Sequence, residues 1–233
     1  MQLFICNQIE AKGTEVQIID NSELVNQLRK VLRAKSWYKF FIQDKAWTKR
    51  YNVELVSFTE KWVTVKVLWV EEKPKESKKL WMLIALPNKQ EKIELIIQKL
   101  TEIWVTDIFL RSAERSQLNT INDNKLARIE KIIKEAVEQS RWWNFPQIEI
   151  IKDVKELWKK RNFIIFDLPK DQKNNWELNN NFPLLWVIGP EWWLSTKDYE
   201  SFPRNRFIQS LWDSVLRMET AAIVWSWYLK NIK

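Results

Sequence analysis

The sequence predicts an α/β protein in two parts, a small β-barrel domain followed by an α/β layer with a mostly parallel sheet. Three observations carry this. Short runs rich in β-branched and aromatic residues crowd the first 70 positions. From residue 80 onward, apolar runs of strand length alternate with stripes of helical period. Between them lies the charged, Pro-containing stretch Glu-Glu-Lys-Pro-Lys-Glu-Ser-Lys-Lys, Glu71 to Lys79. The domains are therefore drawn at 1–70 and 80–233, with 71–79 as a linker.

In the first domain, strands are expected at Val16–Ile19, Tyr38–Ile42, Tyr51–Phe58 and Val63–Val70. The alternation of Val63, Val65 and Val67 suits a half-buried strand. A helix fits Ser22 to Leu32, with Ser22 as its N-cap. A small barrel closes such strands naturally. In the second domain, Leu83–Leu86 is a short apolar strand. The helix after it carries Ile93, Ile96, Ile97 and Leu100 at i, i+3, i+4 and i+7. Asp107–Leu110 is a strand, and a longer helix lines Leu126, Ile129, Ile132, Ile133, Ala136 and Val137 along one face. Asn162–Phe166 and Leu184–Ile188 read as buried strands. Phe207–Gln209 is another strand, and Met218 to Leu229 a terminal helix. In such a layer, ligands bind beyond the carboxyl ends of the strands.

Composition excludes several chemistries. The 233 residues are 45% hydrophobic, enough for a sizeable core. There is no His, so a His general base, a His-liganded metal and a Ser-His-Asp triad are all excluded. The single Cys6 excludes an internal disulfide and Cys-rich zinc sites, so no metal is expected and a reducing, cytoplasmic setting fits. No apolar run reaches the roughly 18 residues of a membrane span. The formal charge is +8, shared equally between residues 1–75 and the rest, so the smaller part is roughly twice as basic per residue. An anionic partner follows, RNA or DNA first, with the first domain as the better nucleic-acid module.

Two counts are abnormal: two Gly and 16 Trp. Ordinary usage would give about 16 glycines. A mixed fold with two glycines lacks the positive-φ residues that turns and helix ends need. One reading is that many Trp letters are glycines, encoded by a UGA codon reassigned to Gly. The other is a Trp-rich protein whose indoles stack on ligands.

Four ordered motifs decide between them. Val187-Ile188-Gly189-Pro190-Glu191-Trp192-Trp193-Leu194-Ser195 follows a strand and precedes a helix that Ser195 would cap. Paired Gly fit such a loop, because they bring backbone N–H groups close to a ligand; paired Trp do not. Ser210-Leu211-Trp212-Asp213-Ser214-Val215-Leu216-Arg217-Met218-Glu219-Thr220-Ala221 is the second motif, and Lys99-Leu100-Thr101-Glu102-Ile103-Trp104-Val105 with Glu114-Arg115-Ser116 the third. The fourth is Glu135-Ala136-Val137-Glu138-Gln139-Ser140 followed by Pro146, and Lys30-Val31-Leu32-Arg33 with Lys35-Ser36-Trp37 adds to them. With Trp104, Trp192, Trp193 and Trp212 read as Gly, these segments resemble the RsmE family of 16S rRNA uracil-N3 methyltransferases, a branch of the SPOUT superfamily. Trp37, Trp47 and Trp62 also fall at turn-like places. Trp81, Trp143, Trp158, Trp176, Trp186 and Trp227 are open to either reading. The family carries His at a few positions and this chain has none; Tyr38 stands where the family has an acid.

The resemblance implies a PUA-like barrel followed by a SPOUT domain with a C-terminal trefoil knot. It also implies S-adenosylmethionine as cofactor, 16S rRNA or the small subunit as partner, and a homodimer. The cofactor would lie against Leu168 and Pro169, then Ile188, Gly189, Pro190, Glu191, Trp192 and Trp193, and then Leu211, Trp212, Val215 and Leu216. Indoles at 192, 193 and 212 would be expected to fill that pocket. Arg217 and Glu219 are the catalytic candidates; Lys30, Arg33, Arg115 and Arg141 are the RNA-binding ones. The alternative is a basic, aromatic-rich RNA-binding protein that is not an enzyme.

Overall fold

The structure is a computed structural model of the whole chain. It describes all residues except 7–8, 13–14, 20, 45, 75–78, 119, 159–160, 168–182, 210–214 and 232–233. The chain divides into two compact units, Met1–Ser77 with Val137–Trp143, and Lys78–Ala136 with Asn144–Lys233.

The first unit is built on six strands: β1 (Leu3–Cys6), β2 (Ile9–Lys12), β3 (Glu15–Ile19), β4 (Lys39–Asp44), β5 (Lys49–Phe58) and β6 (Trp62–Glu72). They pair in the order β1-β4-β5-β6-β3-β2, antiparallel except for β1 with β4. Register shifts between Asn52 and Val53 and between Leu55 and Ser57 bend β5 against β6, as a small barrel-like sheet requires. Period-two burial puts Phe40, Ile42, Val53, Leu55, Val63 and Val65 on one face, where they close around Leu24 and Leu28. Each such side chain contributes about 1.5–3 kcal/mol by leaving water.

The helix expected over Ser22 to Leu32 is shorter and irregular. Helix α1 (Ser22–Asn26) passes into a π-helical turn, Gln27–Val31. Its N-cap is Asn21 rather than Ser22, because the Asn21 carboxamide accepts the Leu24 N–H at 3.0 Å. The structure adds strands β1 and β2, which were not expected.

In the second unit, β7 (Trp81–Ala85), β8 (Asp107–Arg111), β9 (Gln147–Ile150), β10 (Asn162–Phe166), β11 (Leu184–Ile188) and β12 (Arg206–Gln209) form a fully parallel sheet in the order β12-β10-β11-β7-β8-β9. The helices are α2 (Gln90–Glu102), α3 (Asp123–Ser140), α4 (Thr196–Glu200) and α5 (Met218–Asn231). The chain starts at β7, moves outward through β8 and β9, and then crosses to the far side of β7. That reversal creates a topological switch point beside β11. Ile93, Ile96, Ile97 and Leu100 bury one face of α2, and α2 packs against α5. On the other side, Leu194, Tyr199 and Phe202 join Phe163, Ile165, Leu185 and Val187 in one core.

Six described residues other than Gly adopt positive φ, and four of them are Trp: Trp37 (74°), Trp47 (57°), Trp104 (75°) and Trp193 (67°). For a bulky side chain this is a genuine outlier. Each site has a local reason to demand Gly. Helix α2 ends with Trp104 N–H bonded to Thr101 C=O and Val105 N–H to Leu100 C=O, both at 3.0 Å. That is a Schellman motif, whose left-handed residue is ordinarily Gly. Tyr38 N–H bonds Lys35 C=O across a turn with Trp37 third, the glycine place of a type II turn. Trp47 follows the Asp44 turn of the β4–β5 hairpin, where a left-handed residue closes the loop. Replacing Trp37 by Gly is expected to raise the unfolding free energy by about 1–2 kcal/mol. Trp37 is 78% exposed, so little packing is lost. Urea denaturation reads the change, and a lower stability for W37G contradicts it.

Candidate active site

The site grows from the carboxyl end of β11. There Ile188 hands over to Gly189, where an added Cβ would stand 3.1 Å from Leu194 Cγ. A side chain at 189 would require Leu194 to give by a few tenths of an ångström. The chain then turns: Trp193 N–H bonds Pro190 C=O at 3.0 Å, with Trp193 left-handed. Ser195 caps α4, as its position after the loop predicts. Its hydroxyl accepts the Asp198 N–H, and the Asp198 carboxylate accepts the Ser195 N–H.

Asp198 does more than close this capping box. It is 3% exposed and accepts the Arg111 guanidinium at 2.8 Å and the Glu114 N–H at 3.1 Å. Arg111 also donates to Ser201 Oγ at 3.0 Å. Burial lowers the Arg111 pKa and Asp198 opposes that shift. The pair thus ties the end of β8 to the start of α4, with the loop held between them. Sequence reading missed this tie. The Ser195-x-x-Asp198 spacing was a readable signal for the cap, but nothing local points to Arg111, 87 residues away.

Glu191 faces the start of α2. It accepts Lys92 Nζ at 2.7 Å and the Asn88 N–H at 3.2 Å. Burial pushes its carboxyl up, but the hydrogen bond from Lys92, the backbone donors and the Lys92 charge outweigh this and hold it below its ordinary value. Glu191 is therefore an ionised, fully engaged strut of the loop.

Around the loop lies a cavity of about 590 Å³, within the range of small-molecule sites. Ile188, Gly189, Pro190, Glu191, Trp192 and Trp193 form one wall, and Val215, Leu216, Arg217 and Glu219 another. Asn88, Lys92, Phe166 and Asp167 complete it. Phe166 stacks on Trp225 at 4.1 Å and on Trp186 at 5.3 Å, which gives the cavity an aromatic floor. Asp167, at the end of β10, accepts the phenol of Tyr199. Burial and then this bond raise the Tyr199 pKa, so Tyr199 stays a donor. Glu219 Oε2 is buried and has no hydrogen-bond partner among the described residues.

Ten of the residues expected from sequence thus meet in one cavity. Leu168, Pro169, Leu211 and Trp212 lie outside the described residues. The cavity stays open with Trp192 and Trp193 in its wall, and Trp192 is 62% exposed. The expectation that these two indoles fill the pocket does not hold. Arg115 is exposed and donates to Trp192 C=O at 2.8 Å, so it braces the loop. Lys30, Arg33 and Arg141 belong to the first unit and are exposed; Arg33 and Arg141 have positive φ, and the Arg141 guanidinium lies 5.9 Å from the Phe41 ring. Among the described residues, no group of His, Cys, Asp and Glu is placed to hold a metal ion.

A cavity at the switch point of a parallel sheet, walled by a Gly-Pro-Glu loop and an Arg-x-Glu helix start, can be compared with known proteins. The family model described as an RNA methyltransferase domain matches residues 74–230. The chain belongs to the RNA methyltransferase domain family. A search of curated proteins finds no match. Among solved structures, the chain is similar to the ribosomal RNA small subunit methyltransferase E of Neisseria gonorrhoeae bound to S-adenosylmethionine. The two are 21% identical, with 99% of this chain and 97% of that chain covered and a TM-score of 0.81. A predicted RNA methyltransferase of Thermotoga maritima is 27% identical over 99% of this chain and 97% of its own, with a TM-score of 0.70. A methyltransferase of Legionella pneumophila, in complex with S-adenosylmethionine, is 22% identical over 98% and 96%, with a TM-score of 0.76. The fold is accordingly a barrel-like domain followed by a SPOUT-like parallel-sheet domain, and the methyltransferase family match covers the cavity.

In this RNA methyltransferase, removing Asp198 leaves the Arg111 charge buried without its partner. D198A is expected to lose about 3–5 kcal/mol of unfolding free energy. Urea denaturation measures it, and a loss below 1 kcal/mol would show that the tie holds nothing.

Proposed function

We propose that the chain methylates N3 of a uridine in 16S rRNA of the small subunit, with S-adenosylmethionine as donor. The observation that carries this is the single cavity that gathers the Gly-Pro-Glu loop with Arg217 and Glu219, in a chain of the RNA methyltransferase family. The cavity suits such a cofactor. Its volume fits a nucleoside-sized ligand, Gly189 leaves the backbone bare, and Phe166 offers an aromatic face. When bound, the cofactor supplies an electrophilic sulfonium methyl. Ile188 to Trp193 and Val215 to Leu216 hold it, together with Leu168, Pro169, Leu211 and Trp212. Arg217, exposed at the cavity wall, offsets negative charge on the uracil carbonyl oxygens. The protein's own work is mainly positioning.

The same reading assigns residues 1–70 to RNA holding, with Lys30 and Arg33 there and with Arg115 and Arg141 as further phosphate contacts. Residues 80–233 form the knotted catalytic domain after a linker at 71–79, although Glu71 and Glu72 of that stretch pair with β5 as the end of β6. A homodimer is supported by α5, a largely apolar helix that leaves Trp227 60% and Tyr228 49% exposed. A cytoplasmic enzyme agrees with the absence, among the described residues, of a helix long and apolar enough to cross a membrane.

The reading also holds that a reassigned UGA codon places glycine where the letters at 104, 192, 193 and 212 read Trp. Positive φ at Trp104 and Trp193 supports it, and Trp37 and Trp47 extend it to the first domain. Trp186 and Trp225, buried in the aromatic floor, read as true tryptophans.

The test is mass spectrometry of 16S rRNA treated with S-adenosylmethionine and the chain carrying Gly at 104, 192, 193 and 212. The expected product is one methylated uridine that comigrates with 3-methyluridine. RNA that is bound but left unmethylated would favour a basic RNA-binding protein instead.

A further inference from the structure

We infer that Glu219 is the group that takes the proton from uracil N3, and so is a catalytic residue of the reaction proposed above, on which this inference rests. The chemistry needs such a group. While N3 carries its proton, its electron pair is not available to a methyl group, and the chain has no His to remove that proton. The charged groups facing the cavity are Lys92 from α2, Asp167 from the end of β10, Glu191 from the loop after β11, and Arg217 and Glu219 at the start of α5.

Their engagements separate them. Arg217 is a permanent cation and accepts nothing. Lys92 is an ammonium held 2.7 Å from Glu191. Glu191 is filled by Lys92 and the Asn88 N–H, which also make it a weaker base than an ordinary carboxylate. Asp167 accepts the Tyr199 phenol, a donor that does not ionise in the working range. Glu219 is different. Its Oε2 is buried in the cavity wall with no partner among the described residues. A buried acceptor left without a donor is costly. The Glu219 side chain lines the cavity, and its carboxylate makes no ion pair or hydrogen bond among the described residues, so it is free to accept a ligand N–H; uracil N3–H is a donor of the right kind.

The step balances. The N3–H bond breaks and its proton passes to the Glu219 carboxylate. The freed electron pair forms the bond from N3 to the methyl carbon. The pair of the old carbon–sulfur bond stays on sulfur, which leaves as a neutral thioether. Glu219 then returns its proton to water.

The test compares wild type, E219Q and E219D, each with Gly at 104, 192, 193 and 212. Single-turnover methylation of 16S rRNA is followed across pH, alongside calorimetric binding of S-adenosylmethionine and thermal melting. E219Q is isosteric and is expected to melt like wild type and to bind S-adenosylmethionine within about threefold of it. Its rate is expected to fall about 10²–10⁴-fold at neutral pH. That deficit shrinks toward alkaline pH, where uracil loses its proton unaided, and E219D, still a carboxylate, recovers part of the rate. The assignment is overturned if E219Q keeps its rate, if its deficit is constant with pH, or if cofactor affinity falls in step with the rate, which would make Glu219 a cofactor contact. A wild type that binds S-adenosylmethionine but never methylates uridine N3 overturns the functional reading, and this assignment with it.

Discussion

The site depends on one backbone constraint. At the carboxyl end of β11 the chain must turn sharply, with a left-handed residue at 193. Gly189 leaves room at a place where a Cβ would stand 3.1 Å from Leu194, and the residue at 193 takes a φ of 67°. This loop, from Ile188 to Trp193, forms one wall of the cavity of about 590 Å³. The same constraint recurs at the end of α2 and in the turns of the barrel-like sheet. There, too, the hydrogen bonds dictate a left-handed residue whichever letter stands in the sequence.

Such a loop does not hold itself. Leu194 and Tyr199 anchor its far side in the core beneath the sheet. The buried Arg111–Asp198 pair fastens the start of α4 to β8, and Lys92–Glu191 fastens the turn to α2. These three anchors act from three elements, so the loop is fixed in position. The ionised groups used as struts are thereby withdrawn from chemistry. This is why the carboxylate with an unpartnered oxygen, Glu219, is the informative one.

The parallel sheet was legible because its strands are buried runs with little polar interruption, such as Asn162–Phe166 and Leu184–Ile188, and because α2 repeats at 3.6 residues. The short β1 and β2 were not, since four residues carry too little period to separate strand from coil. The first helix read as regular over eleven positions, yet its second half winds as a π-helical turn, a choice made by the packing of Leu24 and Leu28 into the barrel-like core. At the site, local motifs found the loop and the cap. They did not find Arg111, Lys92, Asp167 or Tyr199, whose roles come from partners 32 to 99 residues away. The motifs place Trp104 and Trp193 where glycine would be ordinary, and both take a positive φ, 75° and 67°.

The most direct measurement is the mass of the tryptic peptide that ends at Lys197, from protein made in its source cells and covering Gly189 to Ser195. Glycine is expected at both 192 and 193, with UGA at both codons of the gene. Tryptophan at both positions, encoded by UGG, would contradict it.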